Sequence, residues 1–130
     1  MAAWQYDLFL VATDPVEFSA VSALLSAALP VRPSPSAKLM MWGEPEGDRV
    51  DFWTGQSPVE LLVSFDLRTP SEAFRHTILQ LAAKFGFRLR NADDVEIAPT
   101  DAALMGAMQA SPARAWVDDP PVEEDVEEEE

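Results

Sequence analysis

The sequence predicts an α+β fold: a two-layer sandwich in which a largely antiparallel sheet of four to five strands carries two main helices on one face and adds a third, C-terminal helix. Two segments with helix-start chemistry, "TDPVEFSAVSALLSAALP" and "RTPSEAFRHTILQLAAKFG", flank three consecutive runs of strand-like residues. The loops between those runs are too short for a crossover, so the strands must pair antiparallel. A chain of 130 residues with 48% hydrophobic content supports one core, so residues 1–116 are read as a single domain.

Taken in order, Trp4, Tyr6, Leu8 and Leu10 alternate with Gln5, Asp7, Phe9 and Val11, the pattern of a central strand that is apolar on one side and mixed on the other. Asp14 as N-cap, Pro15 at N1 and Glu17 at N3 then open a helix over about residues 15–29, with Phe18, Val21 and Leu25 along its apolar stripe. The Pro/Ser segment "PVRPSPSA" reads as a loop. Pairing Glu44 with Arg49 across a four-residue loop sets Trp42 opposite Asp51 and Met40 opposite Trp53 on one face, with Met41 opposite Phe52 on the other. A second hairpin through "GQSP" sets Thr54 opposite Val59, Phe52 opposite Leu61 and Asp51 opposite Leu62. Thr69 caps the second helix, Pro70 takes N1, and Phe74, Ile78, Leu81 and Phe85 form its stripe before Gly86 ends it. "FRLR" and "VEIA" are short strands around the turn "NADD". A third helix follows over roughly residues 100–110, then a last turn begun by Ser111 and Pro112.

The formal charge of −14 is unevenly spread: residues 117–130 hold nine acids and no base, which leaves −5 for residues 1–116. Such a tail cannot bury enough apolar area to offset its ordering entropy and is expected to be disordered. The charge disfavours nucleic acid and favours a basic protein partner. The N-terminal segment lacks the basic region and long apolar run of a signal peptide or membrane span, and there is no Cys; the expectation is a cytoplasmic protein that does not engage membranes.

No catalytic constellation is legible, and the expectation is a non-enzyme without cofactor or metal. His76, the only histidine, falls away from the apolar stripe of its helix and reads as a surface residue four positions from Glu72. The carboxylate clusters "EPEGDRVD" and "NADDVE" lack calcium-loop spacing and read as solvated turns. No glycine-rich phosphate cradle is present. Arg75, Lys84, Arg88 and Arg90 gather around the second helix and the following strand, where the acidic tail has a place to fold back.

The distinctive stretch is "MMWGEPEGDRVDFW", which aims large apolar side chains at both faces of the sheet. Either the third helix, with Leu104, Met105 and Met108 and Trp116 behind it, covers the outer face, or Trp42 and Trp53 stay partly exposed there within an acidic rim. The second arrangement makes Trp42, Trp53 and Met40 the anchors of a partner-binding patch, with Glu44, Glu46, Asp48, Asp51 and Asp66 steering a basic cleft toward it. In this character the chain resembles the small acidic immunity proteins of bacterial polymorphic-toxin systems. The resemblance implies binding and neutralisation of a basic toxin domain by occlusion of its active site. The alternative is a structural or assembly adaptor or chaperone, associated with a phage or secretion system, that binds through the acidic tail. The Met/Trp face is equally compatible with a monomer or a homodimer.

Overall fold

The computed structural model describes residues 2–55 and 59–120. Its elements are β1 (Gln5–Ala12), α1 (Phe18–Ala28), β2 (Val31–Arg32), β3 (Leu39–Gly43), β4 (Arg49–Trp53), β5 (Glu60–Asp66), α2 (Glu72–Phe85), β6 (Phe87–Asn91), β7 (Glu96–Ile97), α3 (Asp101–Gln109) and α4 (Pro112–Asp118). The chain is mixed α+β, with one antiparallel sheet of seven strands in the order β2-β3-β4-β5-β1-β6-β7. The sheet exceeds the expected four to five strands: β7 falls within the short strand read at "VEIA", and β2, of two residues, lies within the segment read as a Pro/Ser loop. Edges this short offer little backbone to another sheet.

β1 lies inside the sheet, between β5 and β6, as its alternation predicts. Leu8 and Leu10 are fully buried and join Leu61 and Val63 of β5, Val50 of β4 and Leu89 of β6 on one face. Against this first face pack Val21 and Leu25 from α1, Phe74, Ile78 and Leu81 from α2, and Leu104 and Met108 from α3, in a single cluster. Burying each such aliphatic or aromatic side chain contributes roughly 1.5–3 kcal/mol, so a single continuous cluster is what holds the elements together. The two helix starts look alike in sequence, but their crossovers differ. β1–α1–β2 passes three strands to the far edge, whereas β5–α2–β6 passes only β1.

Both predicted helix starts move inward. Pro15 and Val16 stay outside α1, with Val16 packed on the core, and Glu17 takes the N-cap position without a side-chain bond. The cap of α2 is Ser71, whose Oγ accepts from Phe74 N at 3.1 Å, and not Thr69, whose N–H closes a turn onto Asp66 O. Gly86 ends α2 in the left-handed conformation, as expected. Thr100 and Ser111 cap α3 and α4 through their hydroxyls, and α4 runs to Asp118, past the domain end expected at 116. Residues 56–58, in the hairpin turn expected through "GQSP", and the tail from 121 onward lie outside the described residues.

The main departure is in β3. Gly43, not Glu44, pairs with Arg49, so five residues form the loop, and Trp42 faces Val50, Met41 faces Asp51 and Met40 faces Phe52. A one-residue slip turns every side chain of a strand over. The expectation for β4 and β5 is correct in the same respect: Phe52 pairs with Leu61 and Asp51 with Leu62. The covering of the second sheet face by α3 is also corrected, since Leu104 and Met108 enter the main core. Arg75 of α2 holds the start of α3 by an ion pair to Asp101 at 2.8 Å.

Candidate functional site

The slip in β3 redistributes the expected anchors. Trp42 is fully buried on the first face, and its Nε1 donates to Ser26 Oγ of α1 at 3.0 Å, so it is a core residue and no partner reaches it. Met40 shares that face, half-buried at the margin of the core. Trp53 does lie on the second face, half-buried, in a neighbourhood with half-buried Phe9, Val11 and Leu62. Across that face one row runs Arg32, Met41, Asp51, Leu62, Phe9, Arg90, Glu96. Asp51 is only 5% exposed: Oδ2 accepts from Arg49 Nη2 at 2.8 Å, and Oδ1 has no partner among the described residues. Its carboxylate belongs to the sheet surface and does not reach outward.

The β3–β4 loop, residues 44–48, is where the acidic residues gather with solvent access, and Glu44 and Glu46 are exposed on it. Its backbone is fixed from several sides. Trp4 Nε1 donates to Glu46 O at 2.7 Å, Gln5 Nε2 to Gly47 O at 2.7 Å, Arg49 Nη1 to Pro45 O at 3.1 Å and Arg68 Nη2 to Glu46 O at 3.1 Å. Within the loop Glu44 N donates to Asp48 O at 2.9 Å and Gly47 N to Glu44 O at 3.1 Å. Asp48 turns inward, where Oδ1 accepts from Asp66 N at 2.7 Å, and so ties the loop to the end of β5. The side chains of Trp4, Gln5, Arg49 and Arg68 thus satisfy carbonyls that an ordinary hairpin tip leaves to water.

Beneath the loop lies an aromatic shelf. The rings of Trp4 and Trp116 are 5.4 Å apart, and the Arg68 guanidinium sits 4.0 Å from the Trp4 ring centroid on a cation–π contact. Arg68 also clamps Asp66, with Nε to Oδ1 at 3.0 Å and Nη2 to Oδ2 at 2.9 Å. Both tryptophans are half-buried. They replace Trp42 as the indoles beside the acidic loop. Sequence pattern alone does not single them out, since Trp4 precedes β1, Trp116 lies within α4, and contact between them depends on how α4 packs beside the start of β1.

Burial pushes the Asp48 carboxyl up, with the nearby Asp66 charge adding to it against the hydrogen bond from Asp66 N. Burial also raises Asp66, but the hydrogen bonds and charge of Arg68 outweigh it and hold this carboxyl below the usual range. Six of the seven arginines form ion pairs: Arg49–Asp51, Arg68–Asp66, Arg75–Asp101, Arg88–Glu96, Arg90–Asp94 and Arg114–Asp118. Arg88 and Arg90 are thus paired with the next strand and turn. Glu44 and Glu46 have no ion pair among the described residues.

His76 is exposed on α2. Among the described residues no group of three His, Asp or Glu side chains is placed to hold a metal ion, and no helix is long and apolar enough to cross a membrane. The "NADD" segment forms a turn in which Asn91 Oδ1 accepts from both Asp93 N and Val95 N at 2.9 Å. No family model matches this chain, and no curated protein or solved structure matches it either.

Proposed function

We propose that the chain is a non-enzymatic protein-binding module of the cytoplasm, an immunity protein that docks on a basic bacterial toxin domain and occludes its active site. The observation that carries the reading is the held loop: Glu44 and Glu46 stand exposed on a backbone anchored by Trp4, Gln5, Arg49 and Arg68. Fixed charges attract a cationic cleft without the entropy cost of ordering a mobile tip. The internal neutralisation of the arginines supports the same reading, because it leaves few cations to repel such a partner. Trp116 and the Trp4 edge supply the apolar contact beside the charges. In this reading the helices form one layer, and Trp53 on the second sheet face contributes at most to the rim.

The test uses the partner recovered with the tagged protein from its own cell and then purified. Glu44→Lys/Glu46→Lys is expected to slow association about tenfold at low salt and to flatten its salt dependence. Trp116→Ala, which leaves the Trp4–Glu46 bond in place, is expected to cost roughly 2 kcal/mol of affinity, mostly through faster dissociation. Deletion of residues 121–130 is expected to leave the complex intact. Unchanged kinetics in both substituted forms, with binding lost on deletion, would replace this reading by that of an adaptor acting through its tail.

A further inference from the structure

All four helices contribute to the core on the first face of the sheet: Val21 and Leu25 of α1, Ile78 of α2, Leu104 of α3 and Ala113 of α4 belong to one cluster. Among the described residues no apolar side chain of the second face joins that cluster or packs against it. The second face nevertheless carries large apolar groups. Phe9 and Val11 of β1 form its middle, Leu62 of β5 stands beside Phe9, and Trp53, Leu39 and Met41 extend it over β4 and β3. A sheet face that only meets water is more polar than this.

The strand registers order the charges of this face. One row runs Glu60, Val11, Arg88 across β5, β1 and β6, and the next runs Arg32, Met41, Asp51, Leu62, Phe9, Arg90, Glu96 across the whole sheet. Three arginines and three carboxylates stand in these two rows, so this surface is neutral in a chain whose formal charge is −14. The signs are also separated about β1, with Glu60 on its β5 side and Arg88 and Arg90 on its β6 side. Glu60 is half-buried and makes no ion pair among the described residues. Arg88 bonds Glu96 through Nε and Nη2, which leaves its Nη1 for a second carboxylate.

We propose that the second face binds a second copy of this chain, sheet on sheet, about a two-fold axis that runs along β1. Such an axis keeps each row in place and exchanges the two sides of β1. Phe9 and Val11 then meet their own counterparts, and Glu60 of each copy lies opposite Arg88 of the other. Leu62 meets the aliphatic stem of Arg90 in the same way. Further out, Asp51 and Glu96 fall opposite each other, and each is already held by an arginine of its own copy. Over the rest of the surface the acidic excess makes two copies repel, whereas here neutrality and opposed signs remove that repulsion. Seven strands about 4.8 Å apart and roughly five residues long give a footprint of about 30 Å by 17 Å. That is near the low end for specific interfaces, so association is expected at micromolar concentrations. The β3–β4 loop lies beyond the end of these rows and stays free, so the inference does not rest on the docking reading.

Sedimentation equilibrium of the full-length protein, from low to high micromolar concentration, provides the test. The mass is expected to rise from 14.3 kDa toward twice that value. Glu60→Arg sets cation against cation across the interface and Arg88→Glu sets anion against anion, so each variant alone is expected to dimerise about tenfold more weakly. Mixed one to one, the two variants restore opposed signs at both contacts, and the mixture is expected to dimerise within about threefold of wild type. Circular dichroism checks the folds; where Arg88→Glu is perturbed, Arg88→Glu/Glu96→Arg, which keeps that ion pair with its signs exchanged, takes its place. A mass of 14.3 kDa at every concentration would overturn the inference and leave the face to solvent or to a different protein. Dimers that persist in both variants, or a mixture of folded variants that stays monomeric, would overturn it by placing the contact elsewhere.

Discussion

A Cβ at position 43 would lie 2.1 Å from the Asp48 carbonyl oxygen, and Gly43 holds φ at +90°, a conformation that side chains rarely adopt. This residue permits the five-residue loop and, through it, sends Trp42 into the core. Gly43→Ala is therefore expected to cost on the order of 2 kcal/mol or more, measured by denaturant unfolding, and to expose indole fluorescence to quenchers as the strand loses its register. Stability equal to wild type would show that the loop closes without a left-handed residue. The sequence shows a glycine here but not its φ, and from composition a four-residue and a five-residue loop look alike. Cap chemistry is ambiguous in the same way: Thr69 and Ser71 both precede helix-forming residues, and what separates them is that Thr69 closes a turn with Asp66 while Ser71 Oγ is free to bond Phe74 N.

At the scale of elements, what was legible is what repeats. Residues 5–12 and 60–66 alternate cleanly, and both strands, their faces and the β4–β5 register follow from that pattern. The stripe of α2 and its Gly86 stop were equally plain. β3 was not, because Leu39, Met40, Met41 and Trp42 are apolar on both faces and carry no signal for one register over the other. Nor was the course of α3. Its apolar residues fit either sheet face, and the Arg75–Asp101 ion pair that ties it to α2 joins residues 26 apart in sequence. The acidic loop was found from sequence, since Glu44, Glu46 and Asp48 crowd one turn. The donors that fix it, Trp4, Gln5 and Arg68, could not be found so, because they come from two distant strand ends.

The whole molecule is governed by surplus negative charge, and its response to acid follows from carboxylates that pull in opposite directions. Burial raises Asp7 and Asp48, with Ser64 and Asp66 N bonds only partly opposing it, so the folded state takes up protons there before the unfolded chain does. Stability is expected to rise as pH falls from neutral toward the ordinary carboxylate range, helped by the shrinking net charge of −14. Asp66 lies below that range, so its contribution is lost only on further acidification, as its hold on Arg68 is titrated away. Melting temperature against pH should show this maximum, and Asp7→Asn/Asp48→Asn should flatten its neutral flank; a steady decline from neutrality in wild type would contradict it. The central claim is that the chain presents Glu44 and Glu46 on an immobile backbone, and ¹⁵N relaxation of the amides of residues 44, 46, 47 and 48 tests it most directly. Order parameters near 0.85, equal to those of β4 and β5, are predicted; values below about 0.6 would contradict a held loop and with it the docking mechanism.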